Sequence, residues 1–224
     1  MSESTTAIVA TKPHGGSVQV LIDRASLEED TRTRADSAAA IRETILTAFD
    51  PARTLDGGSL RGPFAILPPN LTLLSVPPSL QDYLRQLTVC ANAAAASLAC
   101  GSILAGHASE ADEYGDIAFW LGEGDYDKGH ELEILQSLSL QDMVPEHGHF
   151  KEVEISPKTG LPVTVNASAN ATAEVTSLFG LLRQMSAIRA FCVPGELSIY
   201  ILIGRYGTGS LSGWSGLLGL GVQS

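Results

Sequence analysis

The C-terminal segment, residues 204–224, constrains the fold more than any other part of the chain. It reads GRYGTGSLSGWSGLLGLGVQS, with seven glycines, one charged residue and several large apolar side chains. Disordered segments are usually poor in large apolar residues, so this segment is predicted to be buried. It forms either a Gly-rich final strand on its own domain or an arm exchanged with a neighbouring copy. In the second case the interface residues are Tyr206, Trp214, Leu217, Leu218 and Leu220.

Three segments have the apolar periodicity of helices, near residues 34–49, 79–105 and 172–190. The first ends just before Pro51, where helices commonly stop. The second begins at Ser79 and has Asp82 three residues later, an arrangement close to a capping box. From residue 89 onward its faces are mostly Ala, Ser and Cys, which predicts a buried packing helix or, alternatively, a close contact with another subunit.

Short strand-like runs occupy the chain between and after these helices. They lie at residues 17–22, 64–67, 71–76, 116–121, 131–138, 151–155, 162–166 and 196–203. Two pairs of adjacent runs, 116–121 with 131–138 and 151–155 with 162–166, have the turn-rich connections of hairpins. Neighbouring strands joined by turns favour an antiparallel sheet. We therefore predict an α+β fold, with residues 1–224 forming a single domain of mainly antiparallel sheet and about three helices.

Acidic residues are concentrated in one region. The chain has 25 acidic and 14 basic residues, a formal charge of -11. Thirteen of the acidic residues lie between Glu110 and Glu154, where only Lys128 and Lys151 are basic. Such a surface opposes non-specific binding to nucleic acid. It is typical of a solvated surface, a divalent-cation site or a surface that docks a basic partner.

The motifs of several enzyme classes are missing from the sequence. It contains no G-x-x-x-x-G-K-[ST] phosphate loop, no G-x-S-x-G nucleophile elbow and no H-E-x-x-H zinc motif. The first residues do not have the pattern of a secretory signal, and no apolar run approaches the length of a membrane span. The three cysteines have no C-x-x-C spacing, which favours a cytoplasmic, reducing environment, or a virion if the chain is a coat subunit.

One segment has the spacing of a metal motif, 147-HGHFKEVE-154. In an extended chain His147 and His149 project to the same side and can chelate a transition metal, and Glu154 adds a carboxylate. The spacing H-x-H-x-x-x-x-E, followed by Gly160, is similar to the first metal motif of cupins. Over these 14 residues the resemblance implies iron, manganese or zinc bound in a small β-barrel. The chain has no histidine after His149.

A second metal hypothesis concerns the loop 125-DYDKGHE-131. Asp125, Asp127 and Glu131 converge on calcium if the loop folds back on itself, although the spacing differs from an EF-hand at the turn glycine and at the twelfth position. The glycine and aspartate content is also that of a plain hairpin turn.

The combined pattern favours a structural protein that self-associates, as the subunit of a shell, filament or viral coat. Low charge content, the small-residue helix and the apolar C-terminal segment favour homo-oligomerisation. We predict no membrane partner and no cofactor for this function. One alternative is a metal-dependent small-molecule enzyme with a divalent ion at His147, His149 and Glu154. Another is a binding module that uses the acidic region 110–154.

Overall fold

The computed structural model describes residues 5–12, 16–23, 32–50, 60, 62–109, 113–145, 148–157, 160–163, 165 and 172–222. Within these ranges there are eight strands, β1 to β8, in the order Thr5–Thr11, Ser17–Asp23, Pro63–Leu67, Ile117–Gly122, Lys151–Val153, Met185–Val193, Leu197–Tyr206 and Gly213–Val222. The helices α1 to α4 are Arg32–Phe49, Pro78–Ser97, Glu131–Ser137 and Ala173–Leu182. None of these helices is both long and apolar enough to cross a membrane.

All eight strands belong to one sheet, in the order β1-β2-β3-β4-β8-β7-β6-β5. Seven strand pairs adjoin in this sheet, and six are antiparallel; β3 and β4 run parallel and are connected through α2. The α+β prediction with a mainly antiparallel sheet is therefore confirmed. One continuous sheet therefore connects all eight strands that the structure describes.

Helices cover both faces of the sheet and create two cores. On one face α2 and α4 pack against the sheet, and on the other face α1 and α3 do so. Side chains alternate between the two cores along each strand: in β4, Ala118 and Trp120 enter the first core and Phe119 enters the second. This period of two is the geometry of an extended chain. We call these the α2-side core and the α1-side core.

The Gly-rich C-terminus forms β8, which lies between β4 and β7 near the middle of the sheet. A strand enclosed by neighbours and by two helical layers needs residues that permit close approach. A Cβ at Gly219 would lie 2.5 Å from Oδ1 of Asp116, and one at Gly216 would lie 2.6 Å from Cζ of Phe119. These glycines are therefore required by packing, and the segment is a strand of its own sheet.

Helix α2 begins and ends earlier than the sequence indicates. It starts at Pro78 after Pro77, without a side-chain cap, so the capping box expected at Ser79 is wrong; Asp82 instead pairs with Arg85 at 2.7 Å. The helix ends at Ser97 and does not reach residue 105. Ala99 has φ +54, and the N–H of Cys100 reaches back to the carbonyl of Ala95 at 3.1 Å. This is the Schellman pattern that terminates helices.

The third helix is also shorter than predicted. The interval 172–190 contains helix α4, Ala173–Leu182, and then most of strand β6, Met185–Val193. Thr172 caps the helix by accepting from the N–H of Val175 at 3.2 Å. The apolar side chains after the turn follow strand spacing, interrupted by a bulge where Ala187 has φ +52. Periodicity over so short an interval does not separate helix from strand.

Two predicted strands are not strands. The run 131–138 is helix α3, because Ile134, Leu135 and Leu138 have helical spacing and all three are fully buried. Strand β4 therefore pairs with β3 and β8, and the hairpin expected between 116–121 and 131–138 is absent. The run 71–76 is a turn with a short 3₁₀ segment at Leu73–Ser75 that follows two prolines.

The hairpin expected between 151–155 and 162–166 is reduced to one bridge, Ile155 with Pro162. Strand β5, Lys151–Val153, pairs with β6 instead. Residues 164 and 166 of that prediction lie outside the described residues. Strands β1 and β6 are two elements that the sequence patterns did not predict as strands.

We expect Gly219→Ala to destabilise the protein by about 1 to 3 kcal/mol, because the added Cβ has no room beside Asp116 and Ser102. The matched control is Gly180→Ala on the exposed side of helix α4, where nothing lies within 4 Å. That change should stabilise by up to about 1 kcal/mol through helix propensity. Urea unfolding measures both free energies. Equal effects at the two positions would contradict the packing role of the β8 glycines.

Candidate functional site

The described residues of the cupin-like motif do not form a metal site. His147 lies outside the described residues, and His149 and Glu154 have exposed side chains. Strand β5 starts only at Lys151. Within the described ranges, no three His, Cys, Asp or Glu side chains lie close enough together to hold a metal ion.

In the segment 125–131, the carboxylate of Glu131 at the start of α3 forms an ion pair. Glu131 pairs with Arg189 on β6, with 2.6 Å between Oε1 and Nη1. Arg189 also donates through Nη2 to the carbonyls of Tyr126 and Asp127, both at 2.9 Å. Arg189 therefore holds this loop against β6. The loop connects a strand to a helix and is not the hairpin turn expected from its composition.

The environment of Glu131 favours its ionised form. Burial by itself would raise the pKa of this carboxyl, but the N–H groups of Glu131 and Gly129 and the guanidinium of Arg189 outweigh burial. The net result is a pKa below the ordinary value. Glu131 is thus held as a carboxylate, a state suited to an ion pair and not to donating a proton.

A shallow depression of about 250 Å³ lies beside this ion pair. Phe150 and Phe191 contact each other edge-to-face, with ring centroids 6.0 Å apart. Lys128 and Glu152 form an exposed ion pair at the same place, with 2.5 Å between Nζ and Oε2. The charges around the depression are therefore paired. The arrangement can contact a ligand, but it does not present a free nucleophile or base among the described lining residues.

Asp116 is a fully buried carboxyl at the start of β4. It accepts from Oγ of Ser102 at 2.7 Å and from the N–H of Ile103 at 2.6 Å. Burial raises its pKa to about 6, although these hydrogen bonds act in the opposite direction. A raised pKa is common at active sites, but Asp116 does not line the depression, and its oxygens bind the chain's own loop 102–104. We assign it to fold maintenance.

The neighbours of Asp116 join helix α2 to the sheet. Asn92 donates from Nδ2 to the carbonyl of Asp116 at 2.7 Å and accepts from its N–H at 3.1 Å. Thr88 donates to the carbonyl of Phe64 at 2.6 Å and accepts from the N–H of Ala118 at 2.8 Å. Side chains of α2 thus satisfy backbone groups of both parallel strands, where buried groups would otherwise be unpaired.

The five residues predicted for an exchange interface lie within the chain's own fold. Trp214, Leu217, Leu218 and Leu220 are at most 1% exposed. Tyr206 is half-buried and stacks on Tyr83, with ring centroids 3.8 Å apart. In this structure these side chains contact the chain's own fold, and an interface made by them with another copy stays a prediction.

The two edges of the sheet differ in length and chemistry. Strand β5 has three residues, two of them charged, Lys151 and Glu152. Strand β1 has seven residues, TTAIVAT, and none is charged. Proteins protect sheet edges with short strands and charged side chains, because an open edge pairs with other chains. The β5 edge has this protection. The β1 edge, within the residues that the structure describes, lacks it.

The hydrogen-bond pattern shows which backbone groups of β1 face outward. The N–H of Lys12 donates to the carbonyl of Gly16 at 3.0 Å, so this pair is of the hydrogen-bonded type. Types alternate along an antiparallel pair, so the even-numbered residues of β1 bond to β2. The N–H and C=O groups that point away from β2 therefore belong to Thr5, Ala7, Val9 and Thr11.

The sequence contains a signal for β1 that apolar patterning alone does not detect. The segment 12-KPHGG-16 between β1 and β2 has the composition of a turn, and it follows a run rich in β-branched residues. The alternation within TTAIVAT is weak because Thr and Ala are neither strongly polar nor strongly apolar. A row of free backbone groups has no side-chain motif, so no sequence motif reveals it.

No family model matches this chain, and no curated protein matches its sequence. The function of the protein is therefore inferred from the geometry of the described residues.

We expect the stability of the wild-type protein to fall, relative to Asp116→Asn, as the pH rises from about 4 to about 6. Below pH 3.8 the carboxyl is protonated both folded and unfolded, and its contribution is complete; it is lost as the pH rises through the folded value of about 6. The difference between these two pKa values corresponds to about 3 kcal/mol. Urea unfolding of both proteins at a series of pH values measures this change. A constant offset between the two proteins at every pH would contradict the raised pKa.

Proposed function

We propose that this protein is a structural protein that self-associates, as a subunit of a shell, filament or coat. The single observation that carries the proposal is the β1 edge, seven uncharged residues long and open within the described ranges. Its chemistry is that of a template for strand addition, in which backbone N–H and C=O groups supply the binding energy. The partner that self-association provides is a second copy of the chain.

The side chains around this edge support the proposal. The helical layers cover β1 incompletely, and most of its side chains are half-exposed. Val9 is 58% exposed. Gln19, which lies opposite Val9 on β2, donates to the carbonyl of Leu71, and the same loop carries Leu74 at 97% exposure. Exposed apolar side chains beside an open edge are typical of an interaction surface.

The distribution of charge leaves this edge accessible to a like-charged copy. Next to β1, Asp142 of the acidic region is paired with Lys12 at 2.6 Å. The ion pairs Lys128–Glu152 and Glu131–Arg189 lie beside β5 and β6, six to seven strand spacings away from β1. At about 4.8 Å per spacing this separation is roughly 30 Å. Salt screens charges beyond about 8 Å at physiological ionic strength. The net charge of -11 therefore weakens association mainly at low salt.

The cysteines agree with action in a reducing compartment, as we propose. Cys90, Cys100 and Cys192 are all free thiols. Burial raises the pKa of the Cys90 and Cys192 thiols, which lowers their reactivity at neutral pH.

We expect the wild-type protein to sediment above monomer mass, increasingly so at higher concentration and higher salt. Val9→Lys should return it to monomer mass, because a lysine on the open edge adds like charge where two strands meet. The matched control is Val163→Lys, since Val163 is 50% exposed and its N–H donates to the carbonyl of Glu154 beside β5, at the opposite edge of the sheet. Analytical ultracentrifugation measures all three proteins. A wild-type chain that stays monomeric at every concentration would remove the proposal.

The depression beside Arg189 supports a second candidate function, a binding module that uses the acidic region. Two carboxylates line the depression, Glu131 and Glu152, each paired with a basic side chain. Glu154, exposed and two residues beyond Glu152, adds a carboxylate, and the exposed Phe150 offers an apolar contact. A lysine-rich peptide is the partner that this chemistry attracts.

A hexalysine peptide tests this second candidate by calorimetry at low salt. We expect Glu154→Lys to weaken binding roughly fivefold, the effect of about 1 kcal/mol for an exposed charge. The control is Glu196→Lys, an exposed glutamate outside the acidic region. Equal losses at the two positions would indicate only the overall charge, and no binding would exclude this candidate.

A further inference from the structure

We infer that two copies pair through β1 in an antiparallel arrangement centred on Ile8, which joins their sheets into one sheet of sixteen strands. The inference rests on the proposed self-association and names its geometry. It depends on the parity of the outward backbone groups, on the near-symmetric sequence of β1 and on the unequal edges of the sheet.

The odd numbering of the outward-facing residues selects the register in which two β1 strands pair. Outward groups belong to the odd-numbered residues of β1. In an antiparallel pair two such residues must face each other, so their numbers add to an even sum. A sum of 16 pairs Thr5 with Thr11 and Ala7 with Val9, in both directions, giving four hydrogen-bonded pairs. Sums of 14 or 18 give only three, and odd sums place outward groups opposite inward ones.

Side chains agree with this register on both faces. On the α1-side core, Ile8 of each copy meets Ile8 of the other at the two-fold axis, and Thr6 faces Ala10. On the other face, Ala7 faces Val9, and Thr5 faces Thr11. None of these pairs places like charges opposite each other, and the exposed Val9 gains an apolar neighbour.

The arrangement closes on itself. A two-fold contact uses the same patch on both copies, so both β1 edges are consumed. The outer edges of the joined sheet are then the two β5 strands, which are three residues long and carry Lys151 and Glu152. Further growth through sheet edges is thereby disfavoured. The assembly unit is a closed dimer, and any larger structure is built from dimers through other surfaces.

Single cysteine variants test the register through disulfide formation under mild oxidation. At the axis, the two residues 8 form a non-hydrogen-bonded pair with Cα atoms about 4.5 Å apart, within disulfide reach. We expect Ile8→Cys to give a covalent dimer on a non-reducing gel. The two copies of residue 9 lie diagonally across the pair, with Cα atoms about 7 to 8 Å apart, at the limit of the distance that a disulfide bond can span. Val9→Cys alone should therefore crosslink poorly.

Mixing provides an independent measurement if Ile8→Cys folds poorly. Ala7→Cys and Val9→Cys copies should crosslink when mixed and much less when each is alone, because residues 7 and 9 face each other. Wild-type protein treated in the same way controls for Cys90, Cys100 and Cys192.

The outcomes separate this inference from the proposed function. A wild-type chain that is monomeric throughout overturns both. A wild-type dimer in which Val9→Cys crosslinks alone, or in which neither the single nor the mixed variants crosslink, overturns the β1 register and leaves self-association standing. Crosslinking of Ile8→Cys together with the mixed pair supports the inference.

Discussion

Hydrogen bonds from two α2 side chains hold the helix to the parallel strands, and the rest of the fold is arranged around this junction. Thr88 bridges β3 and β4, and Asn92 binds both backbone groups of Asp116. A parallel strand pair requires a crossover, and α2 is that crossover. Because the junction is buried, each unmade bond would leave a polar group without water or partner. The junction thus fixes where β4 lies, and β4 is the strand against which β8 packs.

The position of β8 explains the distribution of polarity along the chain. A strand between β4 and β7, covered on both faces, excludes charge and large side chains at its closest contacts, so glycine and leucine dominate it. Among the described residues of the acidic region, most carboxylates lie in the loops and edge elements around β5 and α3, and Asp116 is the buried one. The charge asymmetry of the sequence is therefore a consequence of layering. Two ion pairs of the acidic region lie beside β5 and β6, and the Asp142 carboxylate near β1 is paired with Lys12.

The carboxyl groups with shifted pKa values are used within the fold. The carboxylates with shifted pKa values, Asp116 and Glu131, are both engaged by the chain's own donors. Metal binding through His147, His149 and Glu154 stays a prediction, because His147 lies outside the described residues. The β1 edge, open among the residues that the structure describes, offers backbone groups in a row and requires no particular side chain. Such a site is compatible with a structural protein whose sequence carries no catalytic motif.

The sequence by itself determined the fold class, the α1 helix, the approximate start of α2, and the burial of the apolar side chains of β8, because long apolar periods and the cost of exposing large apolar side chains act locally. It did not separate α3 from a strand or end the third helix before Met185, since short apolar runs fit both periods. Only the tertiary structure decided that Trp214 and Leu217 lie in the chain's own core and that β1 lies at the edge of the described sheet. Strand order is set by contacts distant in sequence, and no local pattern in TTAIVAT encodes which neighbour is missing.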